Sequence, residues 1–144
     1  LLAEGNLPKA KEILGADYSI EGKIITGDRR GSTIGFPTAN VHLSDEHKLL
    51  PKNGVYFVKA VLEQGEFYGM MNVGYRPTVS SGKDIYIEVN IFDFDKDIYG
   101  QKIKIVLKNY IRDEKKFNSL DALIVQLKKD KEECKKHLIN KLIQ

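Results

Sequence analysis

A chain of 144 residues that is 42% hydrophobic can bury one real core, with at most a short extra element at one end. Its 23 Lys and Arg against 20 Asp and Glu leave a net charge of +3, too small and too dispersed to announce a nucleic-acid or membrane surface, although an anionic ligand is allowed. No stretch approaches the ~20 apolar residues of a membrane span, and the single cysteine, Cys134, excludes an intramolecular disulfide and a cysteine-rich metal site, as suits a reducing cytosol.

The start, LLAEGNLPKAKEIL, lacks the basic-then-apolar order of a signal peptide, so the chain is expected to be soluble and unexported. It begins at Leu rather than Met, which points to a piece of a longer protein. Leu7 to Leu14 reads as a short helix: Pro8 suits a first helical position, Leu7, Ala10, Ile13 and Leu14 share a face, and Gly15 can stop it. The pattern then switches to strands over Tyr18–Ile25, Gly54–Leu62, Phe67–Val73, Ile85–Phe92 and Lys102–Ile111. The clearest is IYIEVNIF, in which Ile85, Ile87, Val89 and Ile91 alternate with Tyr86, Glu88, Asn90 and Phe92. Turn residues at 63–66, 80–83 and 95–97 make antiparallel neighbours and leave no room for parallel crossovers. From Ser119, a candidate cap, the period becomes 3.6, with Asp121 in the first turn and Leu120, Leu123, Ile124, Leu127, Cys134 and Leu138 as one stripe. Antiparallel strands followed by one amphipathic helix predict a closed or nearly closed barrel with the helix docked outside, since closure removes vulnerable edges.

Four segments could carry chemistry. The run from Gly27 to Asn40, GDRRGSTIGFPTAN, resembles an anion-handling loop: its glycines allow backbone N–H groups close to phosphate, Arg29 or Arg30 supplies charge, and Thr38 and Asn40 offer neutral oxygens to a hard cation. It matches neither a Walker A loop nor a dinucleotide fingerprint, so spacing alone leaves a plain surface loop equally open. Glu88, mid-strand on the face opposite the isoleucine row, is either an ordinary solvated carboxylate or a rigidly held general base. Asp93, Asp95 and Asp97 lack the Gly and Glu an EF-hand loop would need after them, and read as a hairpin cap. Arg112 to Phe117 reads as a charged linker between the last strand and the helix. Cys134 among charged helical neighbours reads as inert packing, and His42, His47 and His137 show no ligand spacing.

Taken together, Gly-Phe-Pro-Thr-Ala-Asn (35–40), Gly-Val-Tyr (54–56), Asn-Val-Gly-Tyr-Arg-Pro-Thr (72–78), Ile-Glu-Val (87–89), Asp-Ile-Tyr-Gly (97–100) and Tyr-Ile-Arg-Asp-Glu-Lys-Lys-Phe (110–117) resemble the riboflavin kinase family, above all the kinase module of bacterial bifunctional riboflavin kinase/FAD synthetases. The resemblance implies a six-stranded antiparallel Greek-key barrel with a long C-terminal helix, the sixth strand following the Thr38–Val41 stretch. It implies a linker helix over 1–15 and a kinase domain over 16–144. The implied reaction moves the ATP γ-phosphoryl group to the ribityl 5′-hydroxyl of riboflavin, giving FMN and ADP in the cytoplasm, with the FAD synthetase domain as a partner in the same full-length chain and neither nucleic acid nor membrane involved.

Carried onto this sequence, Thr38 and Asn40 resemble the pair that holds Mg²⁺ and the ATP phosphates. Gly27, Arg29, Gly31, Ser32 and Thr33 fall in the flap over those phosphates, and Tyr99 resembles an ATP-side contact. Glu88 matches the family's catalytic base, while Arg112, Lys115 and Phe117 match the segment closing over the flavin, with a Tyr75-Arg76-Pro77 turn helping to shape the pocket. One departure is Asn90, where many members carry His; an amide keeps hydrogen bonding and loses titration near neutral pH. The rival readings are a non-catalytic barrel binding single-stranded nucleic acid and a flavin-binding module without activity. The first needs aromatic residues aligned on one strand face and a basic groove, whereas the aromatics here are scattered; the second has no need of Thr38 and Asn40.

Overall fold

The computed structural model describes residues 18–25, 38–44, 51–78, 82–94 and 98–143. Among them run six strands, β1 (Ser19–Ile25), β2 (Ala39–Leu43), β3 (Gly54–Leu62), β4 (Gly65–Thr78), β5 (Gly82–Ile91) and β6 (Lys102–Arg112), followed by one helix, α1 (Leu120–Ile143). All strand pairs are antiparallel and close in the order β1-β2-β5-β4-β3-β6. The expected barrel with its terminal helix is therefore present. The sixth strand is β2, five residues long and starting within the Thr38–Val41 stretch. The helix expected over Leu7–Leu14, the Gly27–Thr33 flap and the 95–97 turn lie outside the described residues.

Period-two alternation decides what fills the barrel. Ile20, Ile24, Val41, Tyr56, Val58, Ala60, Met71, Val73, Ile87, Val89, Ile103, Ile105 and Leu107 point inward and form one core. A two-residue turn links β3 to β4, closing Leu62 against Gly65, whose φ of 128° suits glycine. Residues Tyr75, Arg76 and Pro77, expected as a turn, instead continue β4 in register with Ile85, Asp84 and Lys83. Pro77 is tolerated because it sits one residue from the strand's end.

The helix covers the outer face of β4, β3 and β6. Cys134 joins Val55, Phe57, Met70 and Phe92 in a second apolar cluster, flanked by Leu127, Leu138, Tyr68 and Ile111. Ser119 caps as expected, its hydroxyl accepting from the Ala122 N–H at 3.1 Å. Leu120, placed in the apolar stripe by periodicity, is 54% exposed instead. It lies in the first helical turn, ahead of the Leu127, Cys134 and Leu138 side chains that make the cluster with the barrel.

Candidate active site

One row of outward residues crosses the barrel. Asn40 on β2 stands opposite Glu88 on β5, Glu88 opposite Asn72 on β4, Asn72 opposite Val55 on β3, and Val55 opposite Arg112 on β6. Each of these partners is a direct neighbour, with Cβ atoms about 4.5–5.5 Å apart in such pairs. The alternation that buries Val41, Met71, Val73, Ile87 and Val89 in the barrel turns Asn40, Asn72 and Glu88 to its outside. The result is a half-buried carboxylate flanked by two amides on rigid strands. Asn90, two residues along from Glu88, is 6% exposed beside Met70.

Arg112 reaches this row through an irregularity. Tyr110 pairs with Tyr56 and Arg112 with Val55, so Ile111 is an extra residue opposite the Val55–Tyr56 step. That bulge lets Ile111 and Arg112 both face outward, Ile111 into the helix cluster and Arg112 toward α1. Close passage is permitted by Gly54, where a Cβ would lie 2.6 Å from the Arg112 carbonyl oxygen. The Arg112 guanidinium donates to both carboxylate oxygens of Asp130 at 2.8 Å each, and its Nη1 donates to the Asp113 carbonyl at 2.9 Å. Its carbon lies 5.9 Å from the centre of the Phe117 ring, within cation–π range.

The segment after Arg112 is tied down at two successive residues by two successive residues before β3. Lys52 pairs with Asp113 at 2.9 Å, and Asn53 donates to Glu114 at 3.3 Å. Tyr86, adjacent to Glu88 on the outer face of β5, donates its hydroxyl to the other Glu114 oxygen at 2.5 Å. Its ring occupies the space that a side chain at Gly74 would need. Tyr110 donates to Asp113; that hydrogen bond and the Lys52 ammonium hold the Asp113 carboxyl below its ordinary range. Burial, then the bond to Asp113, pushes the Tyr110 hydroxyl up. Residues 113–117 thus lie as a strap beside the row, with Lys115 exposed and Phe117 half-buried.

Of the remaining expected residues, Thr38 lies half-buried just before β2, two positions from Asn40. Tyr99 is 65% exposed, in a turn whose Gly100 N–H donates to the Ile24 carbonyl at 2.9 Å, next to the Ile25 that faces Asn40. The fold sets Asn40, Glu88 and Asn72 side by side on β2, β5 and β4, puts Arg112 two strands further along the same row beyond the helix-covered Val55, and leaves Tyr99 at the edge where β1 ends. Gly27, Arg29, Gly31, Ser32 and Thr33 lie outside the described residues. Sequence reasoning missed three contributors. Asn72 has a buried amide oxygen with no hydrogen-bond partner among the described residues, and its placement between the inward Met71 and Val73 was the available signal. Glu114 looked like part of a charged linker. Asp130 falls in the helix stripe between Leu127 and Cys134, a charge where an apolar residue is expected.

Against known proteins, the family model described as flavokinase, riboflavin kinase, matches residues 14–138. The chain belongs to the riboflavin kinase family. A bifunctional riboflavin kinase/FMN adenylyltransferase of Bacillus subtilis is 43% identical over 141 residues, covering 96% of this chain and 44% of that protein. An RNA-binding riboflavin kinase of the same organism is 43% identical over 111 residues, covering 77% of this chain and 47% of that one. The chain therefore spans under half the length of these curated relatives. Among solved structures, one described as a macrolide-efflux protein from Streptococcus pneumoniae superposes with a TM-score of 0.85 at 40% identity, covering 91% of this chain and 42% of that chain. The riboflavin kinase of Trypanosoma brucei, at 23% identity and a TM-score of 0.59, covers 83% of this chain and 76% of its own and shares the fold.

Proposed function

We propose that this chain is an ATP:riboflavin 5′-phosphotransferase that gives FMN and ADP in the cytoplasm. The observation that carries the reading is the outward row Asn40–Glu88–Asn72, with Arg112 at its end, in a chain of the riboflavin kinase family. Phosphoryl transfer asks a protein mainly to align two substrates and to neutralise spreading charge. Glu88, fixed on a central strand, accepts a hydrogen bond from the ribityl hydroxyl, orients its lone pair for in-line attack and takes the proton as the new P–O bond forms. The amides at Asn40 and Asn72 hold that carboxylate and the phosphate side in register. Arg112, Lys115 and Phe117 form the flavin side, and Gly27, Arg29, Gly31, Ser32, Thr33 and Tyr99 the nucleotide side.

The chain's donors fit a divalent metal carried on ATP. Among the described residues no cluster of three or more His, Cys, Asp or Glu forms a cage. Neutral oxygens at Thr38 and Asn40, with the buried, unpartnered Asn72 oxygen on the far side of Glu88, match an ion that binds through few protein ligands, substrate phosphates and water. Thr38 and Asn40 would hold Mg²⁺, which supplies charge neutralisation at the phosphates.

The lengths of the curated relatives support a longer parent chain whose FAD synthetase domain consumes the FMN, with residues 1–15 as linker and 16–144 as the kinase domain. The near-balanced charge supports action without nucleic acid or membrane, and no described helix is long and apolar enough to cross a membrane. Incubating the chain with riboflavin and Mg·ATP tests the proposal. FMN and ADP in equal amounts are expected; binding of riboflavin with no FMN would reduce the chain to a flavin-binding module. A mobility shift of single-stranded RNA at physiological salt would contradict the exclusion of nucleic acid.

A further inference from the structure

Asp130 is a carboxylate only 2% exposed, on the face of α1 that packs against the barrel. Its partners are Nε and Nη2 of Arg112, at 2.8 Å each, and the Gln126 side-chain amide one helical turn earlier, at 3.0 Å. Such a pair gains little net stability over apolar residues of the same volume, because both charges must leave water. What a bidentate carboxylate does supply is orientation: it fixes the plane of a guanidinium that a single contact would leave free to rotate. Three of the five N–H donors of Arg112 are taken by Asp130 and the Asp113 carbonyl, and one face of the guanidinium is turned to Phe117. The two N–H left, one on each Nη, have no protein partner among the described residues and are held in a fixed direction for a ligand acceptor.

We propose that Asp130 is a positioning residue for the flavin side of the site, acting through Arg112. This rests on the flavin-side reading of Arg112. Gln126 fixes the Asp130 carboxylate, Asp130 fixes the guanidinium, and the Arg112–Phe117 pair is thereby ordered before riboflavin arrives, so the cost of ordering it is not drawn from binding. Nothing in this chain of contacts involves the nucleotide side.

The test is a double-mutant cycle read by quenching of riboflavin fluorescence, alongside Mg·ATP affinity and thermal midpoint. Asp130→Asn should weaken riboflavin binding by about tenfold and leave Mg·ATP affinity within about twofold. In an Arg112→Ala background the same change should alter riboflavin affinity by less than about twofold, because the group it positions is gone. Asp130→Glu keeps the charge and the ion pair but adds a methylene to a site only 2% exposed, so it should lower the thermal midpoint and still weaken riboflavin binding. Full rescue of riboflavin affinity by Asp130→Glu would make the role structural and overturn the proposal. An undiminished effect of Asp130→Asn without Arg112 would overturn it too. Arg112→Ala with unchanged riboflavin affinity would instead refute the flavin-side reading of Arg112 beneath it.

Discussion

Gly74→Ala probes how the strap is seated. An added Cβ would lie 2.3–2.4 Å from Cζ, Cε1 and Oη of Tyr86, against an ordinary contact of about 3.5–4.0 Å, so the ring must swing away by more than 1 Å. Moving it breaks the Tyr86–Glu114 hydrogen bond of 2.5 Å. Overpacking of this kind costs about 1–3 kcal/mol, and a hydrogen bond to a carboxylate about 1.5–3 kcal/mol, of which half-exposure leaves the lower part. Glycine's extra unfolded-state entropy returns about 0.4–1 kcal/mol. The net expectation is a loss of about 2–3 kcal/mol, or roughly 6–15 °C of thermal midpoint for a chain of this size. Urea denaturation measures it directly. In a Tyr86→Leu background, where no ring opposes the methyl, Gly74→Ala should cost under about 0.5 kcal/mol. Equal cost in both backgrounds would refute the steric reasoning.

On the nucleotide side, Thr38→Ala and Asn40→Ala should each weaken Mg·ATP binding and turnover while riboflavin binding and far-ultraviolet circular dichroism persist; full activity in both would remove them from the phosphate side. Phe117→Ala should raise the riboflavin KM by about tenfold, with the ATP KM nearly constant; equal shifts in both would dissolve the division between the two sides. Burial, reinforced by the Asp130 and Glu133 carboxylates, pushes the Cys134 thiol up to about 12. A group raised this far is protonated throughout the neutral range, so iodoacetamide at pH 8 should leave Cys134 intact in the folded chain and modify it within minutes in denaturant. Rapid labelling of the folded chain would contradict the packing assigned to Cys134.

How much of this was legible depended on range. The alternation of IYIEVNIF separates Glu88 from the core by local sterics alone, and the helix cap at Ser119 is equally local. The outward row is not local. It exists because β2, β5, β4, β3 and β6 meet in one register, which no single strand encodes, so nothing in β4 alone sets Asn72 beside Glu88. Arg112 depends on the bulge at Ile111, a one-residue offset that a strict alternation would place on the wrong face. Asp130 broke the apolar stripe for a reason that lies on β6, and Leu120 extended that stripe ahead of the side chains that pack on the barrel. Motif resemblance joined Thr38, Asn40, Glu88 and Arg112 where spacing could not.

The central claim is that Glu88 accepts the proton of the attacking hydroxyl. Glu88→Gln keeps its shape and hydrogen-bonding capacity and removes the charge, and on the outer face of β5 it opens no cavity in the core. Single-turnover FMN formation with both substrates saturating isolates the transfer step from product release. The expected fall is about 10²–10⁴-fold, roughly 3–5 kcal/mol of barrier, with both substrates still bound. A rate within about threefold of the parent, under about 1 kcal/mol, would make Glu88 an ordinary strand carboxylate and leave the reaction without its base.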